Sequence, residues 1–174
     1  DNYFYYTNCL DDAFLNAAKT LEARIAKVGI NNEVKTWLSG QDAVFANCGD
    51  GGKMPEKVAD NASDWLKKDR DYQIAAALLY AGKNAEARAE FQKIANDNNS
   101  DWKNTAKFVV ARTFIREASL LEDNEQNKNA RTELYQNAET KLTEVLKDDS
   151  MKEFHASANR LLGLVGFRAK PREQ

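Results

Sequence analysis

Few side chains in this sequence could do chemistry, and their spacing limits what that chemistry could be. The single histidine, His155, has no cysteine or second histidine near it, and a lone imidazole makes a poor metal site. Glu-x-x-His spacing is absent, which argues against a di-iron bundle. Ser150 and Ser157 stand in no recognisable nucleophile motif. Gly51-Gly52-Lys53 shares only its tail with a phosphate-binding loop: Asn47 stands where an earlier glycine belongs, Met54 replaces the hydroxyl residue, and no strand precedes it. Asp50 and Glu56 do not make a calcium loop. The remaining carboxylates interleave with lysine, as solvated helix faces do. No catalytic residue, metal or cofactor is expected.

The two cysteines carry more information. Cys9 stands just before a stripe of Phe14, Ala18, Leu21, Ile25 and Val28, spaced three and four apart as on one helix face. Gly29 ends that helix, and Asn31 or Asn32 caps the next, whose inner residues read as Val34, Trp37, Leu38, Gln41, Val44, Phe45 and Cys48. Gly29 lies almost midway between the cysteines, so an antiparallel hairpin brings both to its open end. A Cys9–Cys48 disulfide is the expectation there, with two buried thiols as the alternative. It would close a loop of about 40 residues and contribute about 3–4 kcal/mol through loop-closure entropy. An oxidising compartment, periplasmic or extracellular, would follow. Gly40 interrupts the second helix and implies that another backbone passes close by.

Beyond these residues, the spacing predicts helices over about 11–28, 32–47, 63–81, 84–97, 101–121, 130–147 and 150–168. Two prolines and eight glycines in 174 residues favour helix throughout, as one all-α domain over 1–174. Ser63, Asn84, Ser100 and Ser150 are the expected N-caps. The run from Tyr72 to Tyr80 is apolar nearly all round, which predicts burial on more than one side. The segment 122–129 is polar and expected to be exposed and mobile. Tyr3, Phe4, Tyr5 and Tyr6 read as an arm packed on the first hairpin. A net charge of −2 gives no electrostatic reason to expect nucleic acid or an anionic membrane as partner. No apolar run approaches the length of a membrane span.

Residues 69–98 combine small Ala75, Gly82 in a turn, small Ala87, then Phe91 and Ile94. This pattern resembles a tetratricopeptide repeat (TPR), although Asp71 stands in place of the family's first-helix tryptophan and Asn99 in place of its closing proline. The pattern recurs: Ala111 is the counterpart of Ala75, and Ala138, Leu142 and Val145 repeat the spacing of Ala87, Phe91 and Ile94. The resemblance implies antiparallel helix hairpins stacked as a short, irregular right-handed superhelix, and no chemistry. It also implies a concave groove lined by the first helix of each pair. On this chain that places Tyr72, Ala76 and Leu79, then Phe108, Arg112 and Arg116, then His155, Asn159 and Leu162 in the groove. Two arginines one turn apart could hold a carboxylate, or could pair with Asp69, Asp71 or Glu117 and only brace the stack.

The last helix carries Met151, Phe154, Ala158, Leu161, Leu162 and Val165 on its inner face. Leu164 and Phe167 fall on another side, an arc too wide for the polar outer face of a terminal repeat. A continuation of the chain or a second subunit is expected to cover them. The functional expectation is a non-catalytic scaffold for a protein or peptide. The alternatives are a structural domain of a longer secreted protein and an enzyme with an unrecognised site.

Overall fold

A computed structural model describes residues 9–49 and 52–169. Among these residues the chain forms seven α-helices and no strand: α1 (Asp11–Val28), α2 (Asn32–Ala46), α3 (Asp64–Tyr80), α4 (Asn84–Asn96), α5 (Lys103–Leu120), α6 (Lys128–Lys147) and α7 (Lys152–Arg168), with a single 3-10 turn over Asp149–Met151. Adjacent helices pack on one another within each of two compact units, which divide between Lys83 and Asn84. The division falls inside the stretch that resembles a single repeat. The arm with Tyr3, Phe4, Tyr5 and Tyr6 lies outside the described residues.

In the first unit α1 and α2 form the expected hairpin. Gly29 adopts φ 72°, the left-handed region open to glycine, and its N–H closes α1 on the Ile25 carbonyl at 2.8 Å. Asn31 caps α2, its Oδ1 accepting from the Val34 N–H at 2.9 Å. The open end is closed by a Cys9–Cys48 disulfide, Cα atoms 5.3 Å apart. Beside it the Phe14 and Phe45 rings lie 4.5 Å apart. No residue of α1 is fully buried, and Phe14 is 47% exposed. Leu38, expected inside, is exposed. The packed side of α2 is narrower than its apolar content and runs through Val34, Trp37, Gly40 and Val44.

Burial on α3 alternates through Gln73, Ala75, Ala77 and Leu79, positions that lie on opposite sides of a helix, so α3 is covered on more than one face. Its first half also buries Leu66, Asp69 and Arg70. Ser63 does not cap α3 with its side chain; its backbone N–H donates to Glu33 Oε1 at 2.8 Å instead, tying the start of α3 to α2. That hydrogen bond is the main reason the Glu33 carboxyl sits below the usual glutamate range.

In the second unit α4 and α6 both pack on α5, and α7 packs on α6. The core gathers Phe108, Ala111, Ile115, Tyr135, Ala138, Leu142, Val145, Met151, Ala158 and Val165. Ala87, Phe91 and Ile94 on α4 are buried as well, so every small or large residue of the repeat-like spacing in this unit lies inside. Tyr135 is buried, whereas Leu134, the inner residue expected at this turn, is only half-buried beside it. Tyr135, Ala138, Leu142 and Val145 follow a three-four-three spacing that selects the tyrosine. Ser100 and Ser150 precede their helices by a short turn rather than capping them: α5 begins at Lys103, and Asp148 accepts from the Ser150 N–H at 3.0 Å ahead of α7. The segment 122–126 is exposed, but Asp123 is bound by Arg131, and Asn127 donates to the Glu122 carbonyl at 3.1 Å. Leu164 is exposed and Phe167 is 84% exposed.

Candidate functional site

The residues expected in a groove divide between the two units, and within each unit they differ in accessibility. On α3, Leu79 is buried and Tyr72 and Ala76 are half-buried. On α5, Phe108 is buried, its ring 5.1 Å from that of Phe154 on α7. It is a core residue rather than a lining one, because stacking between α5 and α7 removes it from the surface. Arg112 is exposed and Arg116 half-buried. Of their expected carboxylate partners, Glu117 is bound by Arg88 at 2.8 Å and Asp69 by Arg24 at 2.7 Å. Arg88 also lies over the Phe114 ring at 4.1 Å, which braces α4 on α5.

His155 has a structural task. Its Nε2 lies 3.0 Å from the Val145 carbonyl and 3.1 Å from the Asp148 carbonyl. Carbonyls only accept, so Nε2 carries the proton and adds a second donor to two carbonyls that already accept the backbone N–H groups of Asp148 and Met151 at the turn after α6. Asn159 is exposed and Leu162 half-buried. The solvent-facing members of the expected groove in this unit are therefore Arg112 and Asn159, flanked by Arg116 and Leu162.

A concavity in the second unit lies on a different side of α5. A cleft of about 250 Å³ is lined by α4, α5, α6 and the turn that follows α6. Its apolar lining is Ala95, Val110, Val145 and Met151, all buried. Its polar lining is Gln92 and Asn96 from α4, Lys107 from α5, Lys141 and Glu144 from α6, and Asp148. At about 100° per residue, Val110 and Arg112 project roughly 160° apart around α5, counted the short way, so cleft and expected groove use nearly opposite faces.

The polar groups of the cleft hold one another. Lys107 Nζ lies 3.3 Å from Asp148 Oδ2, and Lys141 Nζ lies 2.9 Å from Glu144 Oε2. Asp148 Oδ1 accepts from the Ser150 hydroxyl at 2.6 Å and from its N–H at 3.0 Å. Those bonds, the hydroxyl first, then Lys107, keep the Asp148 carboxyl below the usual aspartate range. Two cations and two anions cancel formally, so the cleft suits a polypeptide surface better than a polyanion. No cysteine, serine or histidine is among its lining residues, and among the described residues no group of three or more His, Cys, Asp or Glu could hold a metal ion.

Sequence reasoning passes over Lys107, Lys141, Gln92 and Asn96 because each reads as an ordinary outward residue. A signal was present: all four lie within one turn of a buried apolar residue, Ala95, Val110 or Leu142. Which outward residues of neighbouring helices converge depends on how the helices cross, and one-dimensional spacing does not encode that.

No described helix is long and apolar enough to cross a membrane. Comparison with protein families, with curated proteins and with solved structures finds no match to this chain.

Proposed function

We propose that this chain is a non-catalytic, TPR-like helical scaffold that binds a protein or peptide in an oxidising compartment, periplasmic or extracellular. The observation that carries the reading is the cleft over α5, with its apolar lining and charge-balanced rim. A pocket of this size accommodates one or two side chains of a bound polypeptide and is smaller than most cofactor sites. The Cys9–Cys48 disulfide supports the compartment. The repeat-like spacing supports the family likeness, since Ala75, Ala87, Ala111 and Ala138 are all fully buried.

Peptides selected on the immobilised protein from a random phage-displayed library supply the probe. Lys107→Glu with Lys141→Glu is expected to weaken the selected peptides at least tenfold while the melting temperature stays within about 2 °C, because exposed ion pairs contribute little stability. Arg112→Glu, on the other side of α5, leaves them unchanged. Selection that yields no peptide sensitive to either substitution removes the scaffold reading.

A second reading has its own observation. Leu10, Phe14, Leu15, Ile30, Leu164 and Phe167 are large apolar side chains left exposed. A structural domain packed against further parts of a longer secreted protein would cover such residues. Solubility and peptide-binding measurements on Phe167→Ser and Leu15→Ser separate the two: peptide binding retained by both variants favours the scaffold, whereas a gain in solubility in a chain that binds no selected peptide favours the structural domain.

A further inference from the structure

We propose that α1 is a latch held shut by the Cys9–Cys48 disulfide, and that reduction of this bond by a dithiol releases α1 while α2 and α3 remain folded. Three observations carry this. First, α1 has no fully buried residue, whereas α2 buries Val34, Trp37 and Val44, and α3 buries Leu66, Ala75, Ala77 and Leu79. Most of the buried apolar surface of the unit therefore belongs to the α2–α3 pair. Second, besides the half-buried stripe of Leu21, Ile25 and Val28, the described covalent, aromatic and ionic ties of α1 lie toward its two ends: the disulfide with the adjoining Phe14–Phe45 contact at one, and Arg24, paired with Asp69 and set over the Trp65 ring, toward the other. Third, α2 and α3 have bonds of their own that do not pass through α1: Arg70 to the Thr36 carbonyl at 2.7 Å, Gln73 to the Trp37 carbonyl at 3.0 Å, and Ser63 to Glu33.

The redox step balances simply. A thiolate of the dithiol attacks Sγ of Cys48, the less buried of the two residues, and Cys9 leaves as a thiolate that takes a proton. The second thiol of the reductant then displaces Cys48. Two electrons and two protons pass to the protein sulfurs, and the dithiol becomes a disulfide. The cross-link no longer holds the N-terminal end of α1 near α2, so a loosely covered helix faces the full entropy of an open chain. Its departure uncovers the Phe45 ring and the Asp69 carboxylate, which is 1% exposed with α1 in place.

The test is amide hydrogen exchange on the folded protein before and after dithiothreitol. Cys9 and Cys48 are the only cysteines of the chain, so the reductant acts on one bond. Protection across 11–28 is expected to fall roughly a hundredfold, while 34–45 and 66–79 stay within about fivefold of their oxidised values. The helices α4 to α7 serve as the internal reference. Retained protection in α1 overturns the proposal, because the apolar stripe alone then holds the helix. Equal loss across α1, α2 and α3 also overturns it, because the disulfide then holds the whole unit rather than a latch. Cys9→Ser with Cys48→Ser, measured without reductant, must reproduce the reduced pattern; a fully protected α1 in that variant counts equally against it.

Discussion

The first unit adds buried ions, amides and a disulfide to its apolar contacts; the second gathers its helices mainly around alkyl and aromatic side chains. Asp69, Arg70 and Gln73 are buried on α3 where a helix of the second unit would carry leucine or alanine. Arg24 grips Asp69 through two guanidinium nitrogens at 2.7 and 2.8 Å, and Arg70 spends its donors on Gln73 Oε1 and on the Thr36 and Glu56 carbonyls. Burial pushes Arg70 below its usual value, partly offset by the nearby Glu56 carboxylate. The second unit instead stacks Phe108 on Phe154 and closes Leu142, Val145 and Val165 around Ala111, Ala138 and Ala158. Apolar contacts are non-directional and tolerate rearrangement, while buried polar contacts contribute little net free energy but admit few geometries.

Substitutions can break that contrast. The largest expected effect is in the second unit: Leu142→Ala, at a fully buried position, lowers stability by about 3.5 kcal/mol through lost burial and a cavity, as read by urea denaturation. In the first unit Arg24→Ala costs about 3 kcal/mol by breaking a buried ion pair from one side, whereas Arg24→Met with Asp69→Leu together stay within about 1 kcal/mol of wild type. A double replacement as costly as the single one would show that the pair is a source of stability after all. Glycine to alanine should then change sign between the units. A Cβ at Gly40 would lie 2.3 Å from Gln73 Oε1 and 2.5 Å from an Arg70 terminal nitrogen, so Gly40→Ala costs about 2 kcal/mol. Gly163, in α7, has nothing within 4 Å of that position, and Gly163→Ala gains about 1 kcal/mol of helix propensity.

The smallest effect is on pH. The folded-state values of Glu33 and Asp148 are both depressed, so each contributes stability above its unfolded value that is lost as the pH falls through the folded one. Melting curves of Glu33→Gln and Asp148→Asn should diverge from wild type near neutrality and converge with it below about pH 4.

Helix positions are legible in the sequence, because amphipathic spacing and glycine or asparagine caps are local signals. The expected bounds fall within two residues of the observed ones throughout, and the Cys9–Cys48 bridge follows from the same local reading. The apolar part of the first unit's interior is legible as well, in Val34, Trp37, Val44 and the run on α3, but its buried polar part is not. Arginine and aspartate are rarely buried, so nothing local marks Arg70 as an inner residue, and Asp69, expected as a partner of Arg112 or Arg116, is held by Arg24 on α1. The proposed cleft escapes a reading of spacing for a related reason: Lys107 and Lys141 become neighbours of one hollow only through the crossing of α5 and α6. Gly40 signals a close approach, which is correct in kind. What approaches is a pair of polar side chains rather than a backbone.

Gly40 also sets the alignment of α2 against α3. Without a Cβ it leaves a bare window on α2, beside which the Thr36 and Trp37 carbonyls accept Arg70 and Gln73 in addition to their helical partners. A slide of α3 by one helical turn, about 5.4 Å, would bring the guanidinium against side chains instead of the window and leave it dry and unbound. Two helices that could otherwise settle at several offsets are thus keyed to one, by an absence on the first and a charge on the second.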